Sequence, residues 1–463
     1  MSTSIVILAA GKGTRIKSEL PKVLHPLAGR PMVQFVVDAA RALDPEELTV
    51  VVGEGAGLVR EALGDGVTYA LQAERLGTGH ALQQARDAAA GRADTVLVLY
   101  GDTPLIRAET LWRLVAHHRE TGAAATLLTF RPDNPAGYGR IVRDGDTGQV
   151  ASIVEEKAAT PAEKEIGEVN SGLLCFRDDW VWDHLDKIER QPGGEYYLTD
   201  LVVTAHAEGE MVAAIEVEDT LEVMGVDHRA KLAVAAAEMR RRINEQWMLA
   251  GVTMIHPETT YVDAGVEIGV DTTIWPNTIL QGQTRIGCGC TIGPNSVVRS
   301  STIEDGCRVE MSVVEHAWME EGSDVGPFGH LRKGARLGKG AHMGNFGEVK
   351  NSYLGPGAKM GHFSYLGDAT VGAGANIGAG TITCNYDGQQ KHATTIGKGA
   401  FIGSDTMLVA PVEVGDGART GAGSVVTHNV PPGRVAYGVP ARVKPLPEDA
   451  PGKPPGEGGQ EEA

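Results

Sequence analysis

The stretch that decides the fold is IGVDTTIWPNTILQGQTRIGCGCTIGPNSVV, residues 268–298. An aliphatic residue returns at every sixth position: Ile268, Ile274, Leu280, Ile286, Ile292 and Val298. A period of six fits neither an amphipathic helix nor a simple alternating strand. It fits a chain that turns a corner every six residues, with one aliphatic side chain pointing inward per flat face and Gly or Asn at the corners. Three such faces make one coil of a triangular prism.

The same spacing continues outward over residues 262–430, enough for about nine or ten coils. It slips near Glu315, where we expect an insert, and later resumes. The later matches are Leu337, Met343, Val349, Leu354, Met360, Leu366, Ile396, Ile402, Leu408 and Val414. The pattern resembles the hexapeptide left-handed parallel β-helix. Such prisms often bury a face against copies of themselves, so the resemblance implies a homotrimer.

Length and composition set the wider limits. A chain of 463 residues predicts two or three domains. The formal net charge of -18 argues against nucleic acid or a membrane surface as a partner. Five scattered Cys without zinc-like spacing predict reduced, structural thiols. We expect a cytoplasmic location, because we find neither a signal peptide nor a run of 18 apolar residues.

The first 227 residues alternate strand-like apolar runs with helical patterns. The strand candidates are residues 5–8, 48–52, 67–71, 95–99 and 124–130, and helical patterns cover residues 31–43 and 79–89. This alternation predicts a Rossmann-like α/β domain with a parallel, helix-covered sheet. Ligands of such sheets bind beyond the C-terminal ends of the strands.

The loop after the first strand, LAAGKGTR at residues 8–15, is followed by PKVL at residues 21–24. Small residues let backbone N–H groups approach a phosphate, and Arg15 and Lys22 supply charge for a polyphosphate. The run lacks the ending of a Walker loop and is not GxGxxG. As a whole it resembles the sugar-nucleotide pyrophosphorylases, a family of nucleotidyltransferases. That resemblance implies nucleotide contacts from Leu8, Ala9, Ala10, Gly11, Arg15 and Lys22.

Further matches to this family follow at the ends of later strands. An amide at Gln72, with the backbone near it, could read a uracil edge, and a carboxylate at Asp102 can hold Mg²⁺. The resemblance implies these nucleotide and amino-sugar contacts: Gln72, Gly77, Thr78, Tyr100, Gly101, Asp102, Gly139, Glu155 and Asn170.

The run EYYLTD, residues 195–200, is typical of the uridylyltransferase branch of that family. The resemblance spans nearly the whole chain and points to the bifunctional N-acetylglucosamine-1-phosphate uridylyltransferases and glucosamine-1-phosphate N-acetyltransferases. It implies that the C-terminal half acetylates glucosamine-1-phosphate with acetyl-CoA. The N-terminal half then transfers UMP from UTP with Mg²⁺, giving UDP-N-acetylglucosamine for cell-envelope precursors such as peptidoglycan or lipopolysaccharide.

Between the two halves the pattern becomes that of one helix, with apolar residues at three-to-four spacing and three arginines among them. A basic helix can bind membranes or nucleic acid, but here we interpret the arginines as a solvated face of a rigid arm. The predicted limits are a uridylyltransferase domain at 1–227, a linker helix at 228–250, an acetyltransferase β-helix at 251–443 and a disordered acidic tail at 444–463.

Polar runs interrupt the rhythm of the prism and can form a cleft along it. Amine acetylation needs a base, because only the neutral amine attacks the thioester, and a His suits that role. The resemblance makes His362 the base, with Glu348 nearby to orient it, and Arg332 and Lys350 are apt for a sugar phosphate. It implies further sugar contacts from Tyr365, Asn376 and Lys391, and acetyl-CoA contacts from Ala379, Asn385, Tyr386, Ser404, Ala422 and Arg442.

One departure falls at a catalytic ligand. Where the family has Asn as the second Mg²⁺ ligand, this chain has Asp227, so the predicted metal ligands are Asp102 and Asp227. Both are hard oxygen donors. The alternative is that Asp227 only caps the arm helix that begins just after it.

Two other functions remain open at this point. The prism could be an oligomerising arm on an enzyme with one activity, or the chain could be a non-enzymatic assembly subunit. Intact Lys22 and Asp102 argue against the second alternative. The set of His362, Arg332 and Lys350 argues against the first, because a mere spacer has no use for a cleft.

Overall fold

The computed structural model describes residues 2–445, and its two compact units divide between Met239 and Arg240. The expected disordered tail lies outside the described residues, apart from Lys444 and Pro445, which end a strand, Ala441–Pro445. The division falls inside the arm helix, whose residues therefore belong to both units. Each unit is built around its own sheets.

The N-terminal unit contains one nine-stranded sheet within the described residues. Its strands are β1 (Thr3–Leu8), β2 (Glu47–Val52), β3 (Thr68–Leu71), β4 (Thr95–Tyr100), β5 (Ala125–Phe130), β6 (Arg140–Arg143), β7 (Val150–Val154), β8 (Val169–Arg177) and β9 (Val212–Val217). The main order is β9-β5-β8-β4-β1-β2-β3, and β6 pairs with both β7 and β8. All of β1 is buried, because packed side chains cover both faces of the sheet at its centre.

The expected parallel sheet is wrong at β8 and at the hairpin β6–β7. β8 runs antiparallel to both β4 and β5, whereas β1, β2, β3 and β4 pair in parallel, as do β5 and β9. The parallel neighbours are joined by helical crossovers, but the chain between β5 and β8 forms the antiparallel hairpin β6–β7. β8 therefore re-enters the sheet in the opposite direction.

Helices connect the strands. They are α1 (Met32–Arg41), α2 (Ala56–Leu63), α3 (Thr78–Gln84), α4 (Arg86–Ala89), α5 (Ala108–Thr121), α6 (Pro161–Lys164), α7 (Asp178–Leu185), α8 (Asp200–Ala207) and α9 (Arg229–Leu249). The helix expected at residues 79–89 is two helices, because the chain tightens at the buried Ala85, whose N–H bonds to the carbonyl of Leu82. The arm helix α9 begins and ends within a residue of its predicted limits.

The C-terminal unit is the predicted prism, with three parallel sheets as its faces. The first face holds Thr253–Met254, Thr273–Ile274, Thr291–Ile292, Arg308–Val309, Asp324–Val325, His342–Met343, Lys359–Met360, Asn376–Ile377, Phe401–Ile402, Arg419–Thr420, Arg434–Gly438 and Ala441–Pro445, of which the last pairs antiparallel. The second holds Tyr261–Val262, Ile279–Gln281, Val297–Arg299, Val313–Glu315, His330–Leu331, Gly347–Lys350, Ser364–Gly367, Ile382–Cys384, Met407–Val409 and Val425–Val426. The third holds Glu267–Ile268, Arg285–Ile286, Thr302–Ile303, Trp318–Met319, Arg336–Leu337, Tyr353–Leu354, Ala369–Val371, Thr394–Ile396 and Val412–Val414.

The inward residues of the prism form a buried aliphatic column, as the six-residue period predicts. The insert expected near Glu315 is wrong. The column continues without interruption through Ile303, Val309, Val314 and Met319, all 1% exposed or less. Some steps are five residues instead of six, because the corner is turned with one residue fewer, as at His316, which takes a positive φ of 49°. A missing residue, not an added one, therefore shifts the register.

Candidate active sites

A cleft of the N-terminal unit lies where the predicted ligand edge should be. It has a volume of about 540 Å³ and opens beyond the ends of β1, β3 and β4. Its lining includes Leu8, Ala9, Ala10, Gly11, Lys22, Gln72, Gly77, Thr78, Tyr100 and Asp102, all of them predicted contacts. It also includes Lys12, Arg75, Glu195 and Tyr197, which sequence reasoning did not single out; the last two belong to the EYYLTD run.

Two ion pairs join the predicted phosphate cations to the predicted metal ligands. The Lys22 ammonium contacts Asp102 Oδ2, and both side chains are largely buried. Arg15 Nη1 lies 2.7 Å from Asp227 Oδ2, although the Arg15 side chain is 73% exposed. The Val226 N–H donates to the Asp102 carbonyl at 2.8 Å, which holds the two carboxylate-bearing segments side by side. The structure thus brings these four residues together although they are scattered over more than 200 positions.

Asp227 does not cap α9. The residue before the helix, His228, accepts the Lys231 N–H on Nδ1 at 3.2 Å, so the cap is the histidine. Asp227 Oδ1 is buried and accepts no hydrogen bond from the described residues, while the Lys231 ammonium lies 3.5 Å away. A buried carboxylate oxygen without a hydrogen bond is costly unless it binds something. The interpretation of Asp227 as a helix cap is therefore wrong.

The chemistry of the donor set fits a hard divalent cation. Asp102 and Asp227 offer carboxylate oxygens on adjoining segments, and such oxygens are what Mg²⁺ prefers, with substrate phosphates and water completing its shell. Within residues 2–445 no three His, Cys, Asp or Glu side chains cluster as in a site that holds a metal ion with protein ligands alone. The two carboxylates therefore suit an ion whose remaining ligands come from a phosphate substrate and water.

Around Gln72, the predicted uracil contact, backbone and amide groups are fixed by internal bonds. The Gln72 Nε2 donates to the Gly77 carbonyl at 3.0 Å, whereas the described residues donate no hydrogen bond to its Oε1. Gly77 has a φ of +96°, and a Cβ there would meet the Tyr196 carbonyl oxygen at 2.5 Å. The Thr78 hydroxyl accepts the Leu198 N–H at 3.0 Å. The EYYLTD run therefore packs directly behind this loop.

The predicted amino-sugar contacts Gly139, Glu155 and Asn170 come together. The Gly139 carbonyl accepts the Asn170 N–H at 2.9 Å. A Cβ on Gly139 would lie 3.5 Å from Glu155 Oε1, so the carboxyl group stands beside the glycine. Burial and then the Asp200 carboxylate raise the pKa of Glu155, and burial raises the pKa of Asp200. Two carboxyl groups therefore lie near these predicted contacts, and carboxylate oxygens suit the hydroxyl and amide donors of a sugar.

In the C-terminal unit, the predicted sugar-phosphate contacts lie mainly on the second face. Glu348 and Tyr365 are register partners on neighbouring strands, and Lys350 pairs in the same way with Gly367. Arg332 Nη1 donates to Glu348 Oε1 at 2.8 Å. The expected contact of Glu348 with His362 is absent from the described residues, since no hydrogen bond joins them. Glu348 orients the guanidinium of Arg332 because both extend from adjacent strands of one face.

Asp368 is the centre of this cluster, and sequence reasoning missed it. It accepts hydrogen bonds from Asn351 Nδ2 at 2.6 Å and Asn385 Nδ2 at 2.5 Å. Burial tends to raise the pKa of Asp368, but these amides, with Lys391 and Lys350 nearby, hold it below its usual range. The sequence feature that could have indicated Asp368 is its place directly after the strand SYLG. In the structure this place is a corner, where Asp368 has a φ of +50°.

His362 lies on a corner of the prism, two residues after a strand of the first face. Ala379, Ser404 and Ala422 occupy the same place after later first-face strands, and the Gly423 N–H donates to the Ser404 carbonyl at 2.8 Å. The four residues therefore form one column, here called the base column, with His362 at one end. His362 is exposed and makes no hydrogen bond to the described residues.

Three predicted contacts lie at the margins of this arrangement. Asn376 is on the first face, paired with Lys359 and Phe401, just before the base column. Tyr386, 60% exposed, begins the predicted loop that interrupts the period. Arg442 is opposite Tyr437 on the terminal hairpin and is exposed.

These folds and clefts define a nucleotidyltransferase unit followed by a hexapeptide-repeat transferase unit. The MobA-like NTP transferase domain model matches residues 5–162. The bacterial transferase hexapeptide model, of six repeats, matches residues 393–428, and the hexapeptide repeat of succinyl-transferase matches residues 283–314. The predicted fold class, an α/β nucleotidyltransferase domain and a left-handed β-helix joined by a long helix, is confirmed.

Relatives identify the family. The chain is 49% identical to the bifunctional protein GlmU of Pelobacter propionicus, over 94% of this chain and 95% of that one. It is 49% identical to that of Trichlorobacter lovleyi, over 94% and 95%, and 45% identical to that of Shouchella clausii, over 92% and 94%. The chain belongs to the family of bifunctional GlmU proteins.

Membership settles the open alternatives. The chain is an enzyme with two activities, a uridylyltransferase and an acetyltransferase of UDP-N-acetylglucosamine synthesis, which use nucleotide and acetyl-CoA substrates. The single-activity and non-enzymatic interpretations are wrong. In the part of the chain that the structure describes, no helix has the length and apolarity needed to cross a membrane.

Proposed function

We propose that Lys22 and Arg15 bind the phosphates of UTP and that Asp102 and Asp227 hold Mg²⁺ beside them. The observation that carries this proposal is the pairing of these two cations with these two carboxylates, which lie on adjoining segments. In uridylyl transfer, an oxygen of the sugar phosphate attacks the α-phosphorus of UTP and the bond to pyrophosphate breaks. Lys22 and Arg15 offset the charge that gathers on the phosphate oxygens, so no covalent intermediate with the protein is needed.

When bound, Mg²⁺ supplies further positive charge at the phosphates. The Oε1 of Gln72 is suited to accept the N3–H of uracil, because its Nε2 is already bonded to the Gly77 carbonyl and lies 3.1 Å from His80 Nδ1. The backbone of residues 8–11 approaches the phosphates, and Gly77, Thr78, Tyr100 and Gly101 shape the remaining wall. Gly139, Glu155 and Asn170 receive the amino sugar.

In acetyl transfer, the amine nitrogen attacks the thioester carbonyl carbon and the C–S bond breaks. The proposed base is His362, which takes the proton of the amine, since both its ring nitrogens are free of hydrogen bonds to the described residues. Arg332 and Lys350 bind the sugar phosphate, with Tyr365, Asn376 and Lys391 around the sugar. Ala379, Asn385, Tyr386, Ser404, Ala422 and Arg442 are the proposed acetyl-CoA contacts.

We also propose that the chain is a homotrimer. Phe328, Phe346 and Phe363 each stand three residues after a first-face strand, and they are 53%, 61% and 56% exposed. The first two stack, with ring centroids 5.1 Å apart. Three exposed aromatic rings in one column are typical of a surface that a partner covers. Sedimentation of the purified chain tests the homotrimer, and a monomer with full acetyl transfer would contradict it.

The cytoplasmic location stays a prediction.

The two sites can be tested separately. Lys22→Ala should abolish uridylyl transfer and spare acetylation, whereas His362→Ala should do the reverse, with a loss of about 10²- to 10⁴-fold. Lys17→Ala and His428→Ala are matched controls, since both side chains are exposed and outside the clefts. Pyrophosphate release and free-thiol release report the two activities. Loss of both activities in either folded variant would contradict the assignment.

A further inference from the structure

Arg140 is the largest fully enclosed side chain among the described residues, 2% exposed. Its Nη2 lies 2.7 Å from Glu156 Oε2, an ion pair rather than a well-directed hydrogen bond. Its Nη1 donates to the Tyr138 carbonyl at 2.5 Å, while its Nε is buried without a hydrogen bond to the described residues. A buried guanidinium held by so few bonds depends strongly on its carboxylate partner.

Arg140 stands where three strands meet. It pairs in register with Val154, the last residue of β7, and with Val169, the first residue of β8. Each proposed amino-sugar contact is a sequence neighbour of this junction. Gly139 precedes Arg140, Glu155 follows Val154, and Asn170 follows Val169. The ion pair therefore lies directly behind the three peptide segments that present these contacts.

Glu155 is placed by its backbone and not by its own bonds. Its carboxylate accepts no hydrogen bond from the described residues, and burial and Asp200 make its charged form unfavourable. The backbone of Gly139, next to Glu155, is tightly packed, because a Cβ on this glycine would lie 2.8 Å from Ile153 Cγ2. A carboxylate without bonds of its own keeps its position only while the segment that carries it stays fixed.

We propose that the Arg140–Glu156 ion pair is a positioning device for the acceptor amino sugar. Neither residue touches substrate. The pair clamps the end of β7 against β6 and β8, so that Glu155, Gly139 and Asn170 face the sugar in one fixed arrangement. The inference rests on the proposed role of those three residues as sugar contacts. It predicts an effect on binding of the sugar phosphate and none on UTP.

The test is a kinetic comparison in the full chain. Glu156→Gln removes the charge but keeps the size, and it should raise the KM for N-acetylglucosamine-1-phosphate about tenfold or more, while the KM for UTP changes by less than about twofold. Glu156→Asp restores the charge and should recover part of the loss. The matched control is Asp179→Asn, which breaks an ion pair of the same 2.7 Å length, Arg177–Asp179, whose carboxylate is 76% exposed. It should leave both KM values unchanged.

Two further variants separate the possible failures. Tryptophan fluorescence, to which Trp112, Trp180 and Trp182 of the N-terminal unit contribute, reports whether each variant folds. Arg140→Lys gives a second comparison of the two KM values if Glu156→Gln does not fold. A rise in both KM values together, or no rise beyond that of Asp179→Asn, overturns the positioning role. Glu155→Gln is measured in parallel. If it raises the sugar KM and the Glu156 and Arg140 variants do not, the contact stands and the clamp is wrong. If Glu155→Gln has no effect, the proposed contact itself is wrong.

Discussion

Replacing Asp227 tests the metal site at the position where this chain departs from its family. Asp227→Ala removes a carboxylate oxygen that is buried and accepts no hydrogen bond from the described residues. The lost pair with Arg15 costs the fold at most about 1 kcal/mol, because that arginine is 73% exposed. The contacts of Asp227 with Lys231 and His228 are longer, at 3.5 and 3.6 Å, and add little to that cost. In a unit of this size such a loss lowers Tm by about 2–4 °C. A large loss of activity in a folded protein would therefore report the ligand role.

The expected size of that loss follows from the number of ligands. Mutation of groups that merely support a metal ligand costs about 10- to 100-fold in metal affinity, so removing one of two protein ligands should cost about 100-fold or more. Asp227→Asn keeps an oxygen donor and removes one charge. At 4 Å a unit charge is worth about 4 kcal/mol at an effective dielectric constant near 20. Arg15 and Lys231 already offset much of it, so we expect about 1.4 kcal/mol, a tenfold higher Mg²⁺ requirement.

The assay is pyrophosphate release as a function of Mg²⁺ for wild type, Asp227→Ala and Asp227→Asn, with acetyl transfer as the control for an intact chain. Asp65→Ala is the matched control, because it removes an exposed carboxylate of the same unit that does not line the cleft. Its Mg²⁺ dependence should equal that of wild type. If Asp227→Ala also matches wild type across the titration, Asp227 is not a ligand and the reasoning from its buried oxygen is refuted.

Two more predictions concern assembly and acid stability. If the acetylation cleft forms between subunits, mixing Lys350→Ala with Ala422→Trp chains should restore part of the acetyl transfer. Mixing Lys350→Ala with Asn385→Ala chains should not, because Lys350 and Asn385 flank Asp368 of the same chain. Equal recovery in both mixtures would contradict this prediction. Burial lowers the pKa of His118 to about 4, and its ring is hydrogen-bonded to Thr126. The imidazole therefore stays neutral in the folded state, whereas in the unfolded state it takes up a proton near pH 6.5. Stability should fall by about 3 kcal/mol between pH 6.5 and 4 in urea unfolding of the N-terminal unit, and His118→Gln should lack that fall.

Patterns that repeat, or that follow a strand directly, could be predicted from the sequence. The six-residue period predicted the prism because one inward residue per face is a local requirement, repeated at each corner. The cleft contacts at residues 8–11, Gln72 and Asp102 could be placed because parallel strands present their C-terminal ends at one edge. The antiparallel β8 could not, since the direction of a strand depends on the path between strands and not on its own residues.

What the sequence by itself determined is the pair of folds, the two activities and the residue types in each cleft. Only the tertiary structure decided which of those residues share partners. Arg15 pairs with Asp227, and His228 caps the arm helix. Glu348 accepts a hydrogen bond from Arg332 and none from His362. Asp368 accepts hydrogen bonds from Asn351 and Asn385. The physical reason is range. Periodicity and turn chemistry act over a few residues, whereas an ion pair or a buried carboxylate depends on which distant segments the fold places within about 3 Å of it.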